Sequence, residues 1–220
     1  MKDYNIKSTK QEPVKNLINQ ALEILEATGI PFDKKTPKGL QSMAMVFLAV
    51  AGVTKSWKEA KGQKDGRHLK TREIIKYINE HFEEKISPGS YDDIRRKHLK
   101  LLVLSDLILN SADNPNAATN DPTRGYTISN DFKFLVNFYG TKDWGIKLKL
   151  FNKNRPSLDE ILKRKRNLVK IPIILPGGQS IELSQGGHNQ LQREIIEEFL
   201  PRYGNGCEIL YVGDTTTSIF

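Results

Sequence analysis

Residues 87–109 read SPGSYDDIRRKHLKLLVLSDLIL. Proline and glycine two residues after Ile86 make a turn, and Ser90 is placed to cap the helix that follows. Asp92 and Asp93 fall in its first turn, where the helix dipole favours anions. The helix runs to about Leu104. On a wheel of 3.6 residues per turn, Ile94, Leu101 and Leu102 share one side, and Arg96, Lys97 and Lys100 share the other. Asp106–Leu109 then reads as a short strand and Tyr126–Ser129 as its partner. Between them lies NSADNPNAATNDPTRG, residues 110–125, an Asn-, Asp- and Pro-rich tip. Two helices joined by a short turn, then a long-tipped hairpin, is the element order of a winged helix-turn-helix.

In such a unit one helix face packs and the other meets the major groove, where Arg and Lys read guanine edges or neutralise phosphates. Arg95, Arg96, Lys97 and Lys100 are the candidate DNA contacts, with Arg124 in the tip as a minor-groove or phosphate contact. A solvated basic face on an ordinary helix has the same pattern, and the residues alone leave both readings open. His98 sits among the apolar positions with no second histidine nearby, which suits a core or capping role better than a metal ligand.

Upstream, residues 1–11 are polar and expected to fray. Pro13 opens a helix carrying Leu17, Ile18, Ala21, Leu22 and Leu25 at helical spacing, with Gly29 as the C-terminal stop. A second helix, Lys38 to Ala51, is apolar nearly all round and is expected at the centre of a small core. A third, Lys70 to Phe82, buries Ile74, Ile75, Ile78 and Phe82.

Downstream, residues 132–166 read as a partly ordered connector. It ends in a helix from Ser157, with Ser157 and Glu160 as a capping box and Lys163–Arg166 as either a phosphate-facing patch or a solvated end. Leu168–Leu175 is a strand, and Pro172 places it at a sheet edge. Pro176-Gly177-Gly178 turns the chain into Gln179–Leu183. A helix follows from His188 to Leu200, on which Glu194 and Glu197 face away from Leu191, Ile195 and Phe199, while Glu198 lies nearer that apolar edge. Cys207–Val212 reads as a buried strand.

The chain has 220 residues, a formal charge of +8 and one cysteine. That length supports one large or two modest domains without a disulfide or metal staple. The charge is that of many nucleic-acid binders, and of many proteins that are not. The N-terminus lacks the apolar stretch of a signal peptide, and no apolar run spans a bilayer. A lone thiol suits a reducing compartment, so a cytoplasmic protein is expected.

Hydrolase triads, a phosphate-binding glycine loop and zinc-spaced Cys or His clusters are absent from the sequence. A Mg²⁺-dependent DNA hydrolase pairs a Pro-Asp strand end with a carboxylate-x-Lys strand. The chain has no Pro-Asp dipeptide. Its carboxylate-x-Lys triplets, starting at Asp33, Glu59, Glu83 and Asp131, fall in helix ends, turns or loops and are set aside. By residue type alone, Glu194, Glu197 and Glu198 make a solvated helix face, and Asp214 a turn residue beyond a strand.

The stretch from His188 onward, HNQLQREIIEEFLPRYGNGCEILYVGDT, resembles the opening of the endonuclease domain of the BsuBI/PstI family of type II restriction enzymes. The similarity rests on HN-x-L-Q, the IIEEF-x-PR helix end and LYVGDT. NLINQALEILEATGIP, IRRKHLKLLV and DPTRGYTIS are similar to the same family's helix-turn-helix domain. Together these blocks span about residues 13–216.

The resemblance implies an α+β chain. A helical winged-helix-like DNA-binding domain would cover 12–131, a connector 132–166, and an incomplete α/β nuclease domain of the PD-(D/E)xK type 167–220. It implies Mg²⁺-dependent, site-specific cleavage of double-stranded DNA, a homodimer matched to a palindrome in the full-length parent, and a cognate DNA methyltransferase as genetic partner. In the family the Pro-Asp and second acidic strand follow LYVGDT, whereas here TTSIF follows. Glu194, Glu198 and Asp214 are then a partial catalytic site, and the chain is expected to bind DNA without cutting it. An uncovered Cys207–Val212 strand would favour aggregation, and a cut at residue 135 would give a better-behaved piece. A non-enzymatic winged-helix transcription regulator fits the charge and helix order but does not account for LYVGDT.

Overall fold

Helix α1, Glu12–Ala27, has proline in its first turn and buries Leu17, Ile18, Ala21, Leu22, Ile24 and Leu25. The structure, a computed structural model, describes residues 4, 9–33, 35–110, 125–153, 155, 156, 158, 160, 161, 170–183, 187–204, 206–213, 218 and 219. The chain divides into two units, Met1–Leu158 and Asp159–Phe220. Among the described residues it is mixed, with helices and three two-stranded sheets.

In the first unit α2, Pro37–Ala51, begins on Thr36, whose hydroxyl accepts from the Gly39 amide. Every residue from Met43 to Ala51 is buried. Its end is fixed twice. Gly52 takes the left-handed conformation, φ 72°, which glycine adopts without steric cost. Arg67 lays its guanidinium against the last carbonyls of the helix, 2.7 Å from Ala49 O and 3.0 Å from Val50 O. The Phe47 ring stacks between Trp57 at 5.4 Å and Phe132 at 5.2 Å.

Helix α3, Thr71–His81, buries Ile74, Ile75 and Ile78, and Phe82 follows it into the core. Residues 1–11 do not all lie free, because Lys10 is buried against the end of α3. Its ammonium donates to Phe82 O and Glu83 O and pairs with Glu84 at 2.8 Å, a cation where the helix dipole favours one.

The next helix, α4, spans 91–104 as Tyr91–Asp93, a π-helical stretch Ile94–Leu99, and Lys100–Leu104. Its cap differs from expectation. Pro88–Ser90 forms a 3₁₀ turn, and the capping hydroxyl is that of Ser87, which accepts from the Gly89 amide, while Ser90 makes no such bond. The π turn shifts the buried face to Ile94, Leu99 and Leu102, so Leu101 is only half-buried.

Strand β1, Ile108–Asn110, pairs antiparallel with β2, Tyr126–Ile128. On its other side β2 meets Leu69 and Gly62 through isolated bridges. A Cβ at Gly125 would stand 3.0 Å from the Leu69 backbone, so a side chain there would crowd that approach.

The stretch read as a connector holds two helices within this unit, α5, Asn130–Val136, and α6, Trp144–Lys153. Phe132, Leu135 and Val136 are buried, and Tyr139 sets its ring edge against Trp57 at 5.9 Å. A cut at residue 135 would divide α5. The helix expected from Ser157 to Arg166 lies largely outside the described residues.

In the second unit β3, Ile171–Ile174, pairs antiparallel with β4, Ser180–Leu183. Gly177 and Gly178 turn between them with φ of 105° and 85°. Alternation puts Ile171, Ile173, Ile181 and Leu183 on one face, where they pack with Ile196 and Val212. Ile196 comes from α7, which spans 187–203 as Gly187–Glu194, a π-helical stretch Ile195–Phe199, and Leu200–Tyr203.

One expectation fails in this unit. Cys207–Val212 is not a buried strand: only Val212–Gly213, β5, is extended and paired, with Ser218–Ile219, β6. Among the described residues no other strand pairs with 207–211, and Leu210 and Tyr211 stand 81% and 60% exposed. The apolar edge Leu191, Ile195 and Phe199 is likewise exposed, because α7 turns Asn189 and Ile196 inward instead.

Candidate nucleic-acid interface

The basic face of α4 is held out by what its opposite face buries. Ile94, Leu99 and Leu102 lock onto the core, which leaves the Arg95, Arg96 and Lys97 side chains 56%, 70% and 65% exposed. Arg95, Arg96 and Lys100 line one side of a groove of about 630 Å³. Asn110, Gly125 and Tyr126 from the β1–β2 hairpin line the other, and Lys70 and Thr71, where α3 begins, close its end. Among the described residues that line it, four are cations and none is acidic. Electrostatics and concavity therefore both suit a polyanion.

Lys97 points elsewhere. It does not line the groove, and its carbonyl accepts from the Lys35 ammonium at 3.3 Å. Arg124 lies outside the described residues. Lys70 is the cation that the helical wheel of α4 could not reveal. It is brought in by the ladder between Leu69 and Tyr126, whose amides and carbonyls exchange bonds of 2.8 and 3.0 Å.

Three of the basic side chains are tied to acids one turn earlier. Arg95 donates from Nη2 to Asp92 Oδ1 at 2.7 Å, and Arg96 forms an ion pair with Asp92, Nε to Oδ2 at 2.7 Å. Lys97 meets Asp93 at 3.0 Å. The Asp92 carboxylate holds the Arg95 guanidinium above its ordinary pKa. His98, by contrast, is pushed down to about 4 by burial, with Lys35 and Lys97 adding to the effect. Its Nδ1 is buried without a hydrogen-bond partner among the described residues.

The acids of the second unit behave differently from one another. Glu197 is structural: it accepts from Arg193 Nε at 2.8 Å and from the Ile174 amide at 3.0 Å, and both contacts hold its carboxyl below the usual range. Glu194 is exposed and bonded to Gln190 at 3.3 Å, and Glu198 is exposed and paired with Arg202 at 2.6 Å. Asp214 lies outside the described residues, next to Gly213, whose carbonyl accepts from Gln192 at 2.8 Å. Among the described residues no three His, Cys, Asp or Glu side chains come together to hold a metal ion. Among them, too, no helix is long and apolar enough to cross a membrane.

Two family models match the chain. One, described as the BsuBI/PstI restriction endonuclease HTH domain, covers residues 15–160, and the other, the BsuBI/PstI restriction endonuclease domain, covers 171–220. The chain is 28% identical over 200 residues to the type II restriction enzyme BsuBI of Bacillus subtilis, which is 90% of this chain and 61% of that protein. It is 24% identical over 196 residues to the type II restriction enzyme AplI of Arthrospira platensis, 87% of this chain and 59% of that one. Among solved structures it is similar to the SdaI restriction endonuclease, with a TM-score of 0.53 and 25% identity over 91% of this chain and 61% of that one. The chain thus spans about three fifths of the length of these relatives.

Proposed function

Because the chain belongs to the BsuBI/PstI restriction endonuclease family, we propose that its first unit is the site-reading part of a type II restriction endonuclease. In this reading the unit is a winged helix-turn-helix, with α4 in the major groove and the β1–β2 hairpin as the wing. The groove lined by Lys70, Arg95, Arg96 and Lys100 carries the proposal. Arginine offers a planar fork to guanine O6 and N7, and lysine a point charge to phosphate.

The second unit is read as the opening of a PD-(D/E)xK-type nuclease domain in which Glu194, Glu198 and Asp214 stand near the scissile phosphate. The whole enzyme would use Mg²⁺ on cytoplasmic duplex DNA, act as a two-fold dimer on a palindrome, and work beside a methyltransferase that protects host sites. The described carboxylates do not converge as a metal site. Lacking a Pro-Asp dipeptide, these 220 residues are expected to bind duplex DNA and leave it uncut in Mg²⁺. The match of both units to one endonuclease family favours this reading over a transcription regulator.

Fluorescence anisotropy with a labelled duplex tests the interface. Replacing Arg95, Arg96 and Lys100 by alanine should weaken binding, and each lost phosphate contact should reduce the log–log salt slope by roughly 0.9. A folded triple variant with unchanged affinity and slope would remove the groove from the interface.

A further inference from the structure

We propose that Asp92 is a positioning residue for DNA reading: one carboxylate bridges Arg95 and Arg96, fixes their side chains across the groove and makes binding more selective. The inference rests on the reading of the groove as the DNA face. Both oxygens are used, Oδ1 at 2.7 Å from Arg95 Nη2 and 3.2 Å from its Nε, and Oδ2 at 2.7 Å from Arg96 Nε. Asp93, the next residue, pairs among the described residues with Lys97, which does not line the groove. The two acids therefore differ in what they organise, although both sit in the first turn of one helix.

Two effects follow from this geometry. An arginine already held by a carboxylate loses less side-chain freedom when it meets a base edge, so a correctly oriented partner is favoured. Asp92 also sets a negative charge beside the arginines, which reduces attraction for phosphate that offers no base contact. Lys70 and Lys100 line the same groove, and among the described residues their ammonium groups form no ion pair, Glu73 being bonded to the Lys70 backbone amide instead. They are left to supply attraction that does not depend on sequence.

The test uses the 220-residue chain and two duplexes, one of mixed sequence and one enriched from a randomised library on the wild-type chain. Asp92→Asn should bind the mixed duplex more tightly and with a steeper salt dependence. Its preference for the enriched duplex should fall about tenfold, the scale of one oriented base contact. Asp93→Asn, with the same change of charge, should keep the preference. In an Arg95→Ala, Arg96→Ala background, Asp92→Asn should change the preference no further. Equal weakening on both duplexes, or an unchanged preference, overturns the role of Asp92 even if the arginines matter. Failure to enrich any duplex, or arginine variants that bind and discriminate as the wild type does, overturns the groove reading and Asp92 with it.

Discussion

His98 and Phe47 show how single residues bind the basic face to the core. Burial holds the imidazole of His98 neutral, at a value near 4 against an ordinary 6.5. The unfolded chain therefore takes up the proton first as pH falls. The stability that His98 contributes is whole above pH 6.5 and is lost between 6.5 and about 4. Urea midpoints should fall across that window, and fall less in a His98→Gln variant, where no proton is taken up. Equal pH slopes in the two proteins would show that His98 is not held neutral. Phe47 is fully buried between two aromatic rings, and Phe47→Ala should cost about 3–5 kcal/mol in chemical unfolding. A loss below about 1 kcal/mol would mean that the core collapses into the space. Neither role depends on DNA, so both variants separate fold from interface.

At the scale of elements, the helices that pack by simple periodicity were the legible ones. Leu17, Ile18, Ala21, Leu22 and Leu25 repeat at helical spacing, and all are buried in α1. Ile74, Ile75 and Ile78 do the same in α3. The order of turn, basic helix and hairpin was legible from Pro88-Gly89, the Asp92-Asp93 start and the strand-like residues on either side of the tip. The π turn in α4 was not, because its wider coil buries Ile94, Leu99 and Leu102 at spacings that an α-helical wheel does not test. Lys70 was missed for another reason. Its place in the groove depends on pairing between Leu69 and Tyr126, residues far apart in sequence. In α7 the apolar residues Leu191, Ile195 and Phe199 are exposed. The strands that cover the helix instead meet Ile196. Cys207–Val212 misled, since apolar composition does not create the neighbouring strand that a buried one requires.

For the whole molecule, the family reading joins two units whose evidence differs in kind. The first has a concave basic groove built from three elements that only tertiary contacts bring together. The second has a hairpin, a helix and scattered acids, and its resemblance to an endonuclease opening came from LYVGDT and IIEEF-x-PR rather than from any assembled chemistry. The central claim is therefore that duplex DNA lies in the groove of the first unit. Amide hydrogen exchange of the 220-residue chain, with and without a duplex at low salt, tests it most directly. The account predicts protection confined to the start of α3, to α4 and to the β1–β2 hairpin, and lost when Arg95, Arg96 and Lys100 are replaced by alanine. Protection on α5, α6 or the second unit, with exchange in α4 and the hairpin unchanged, would contradict it.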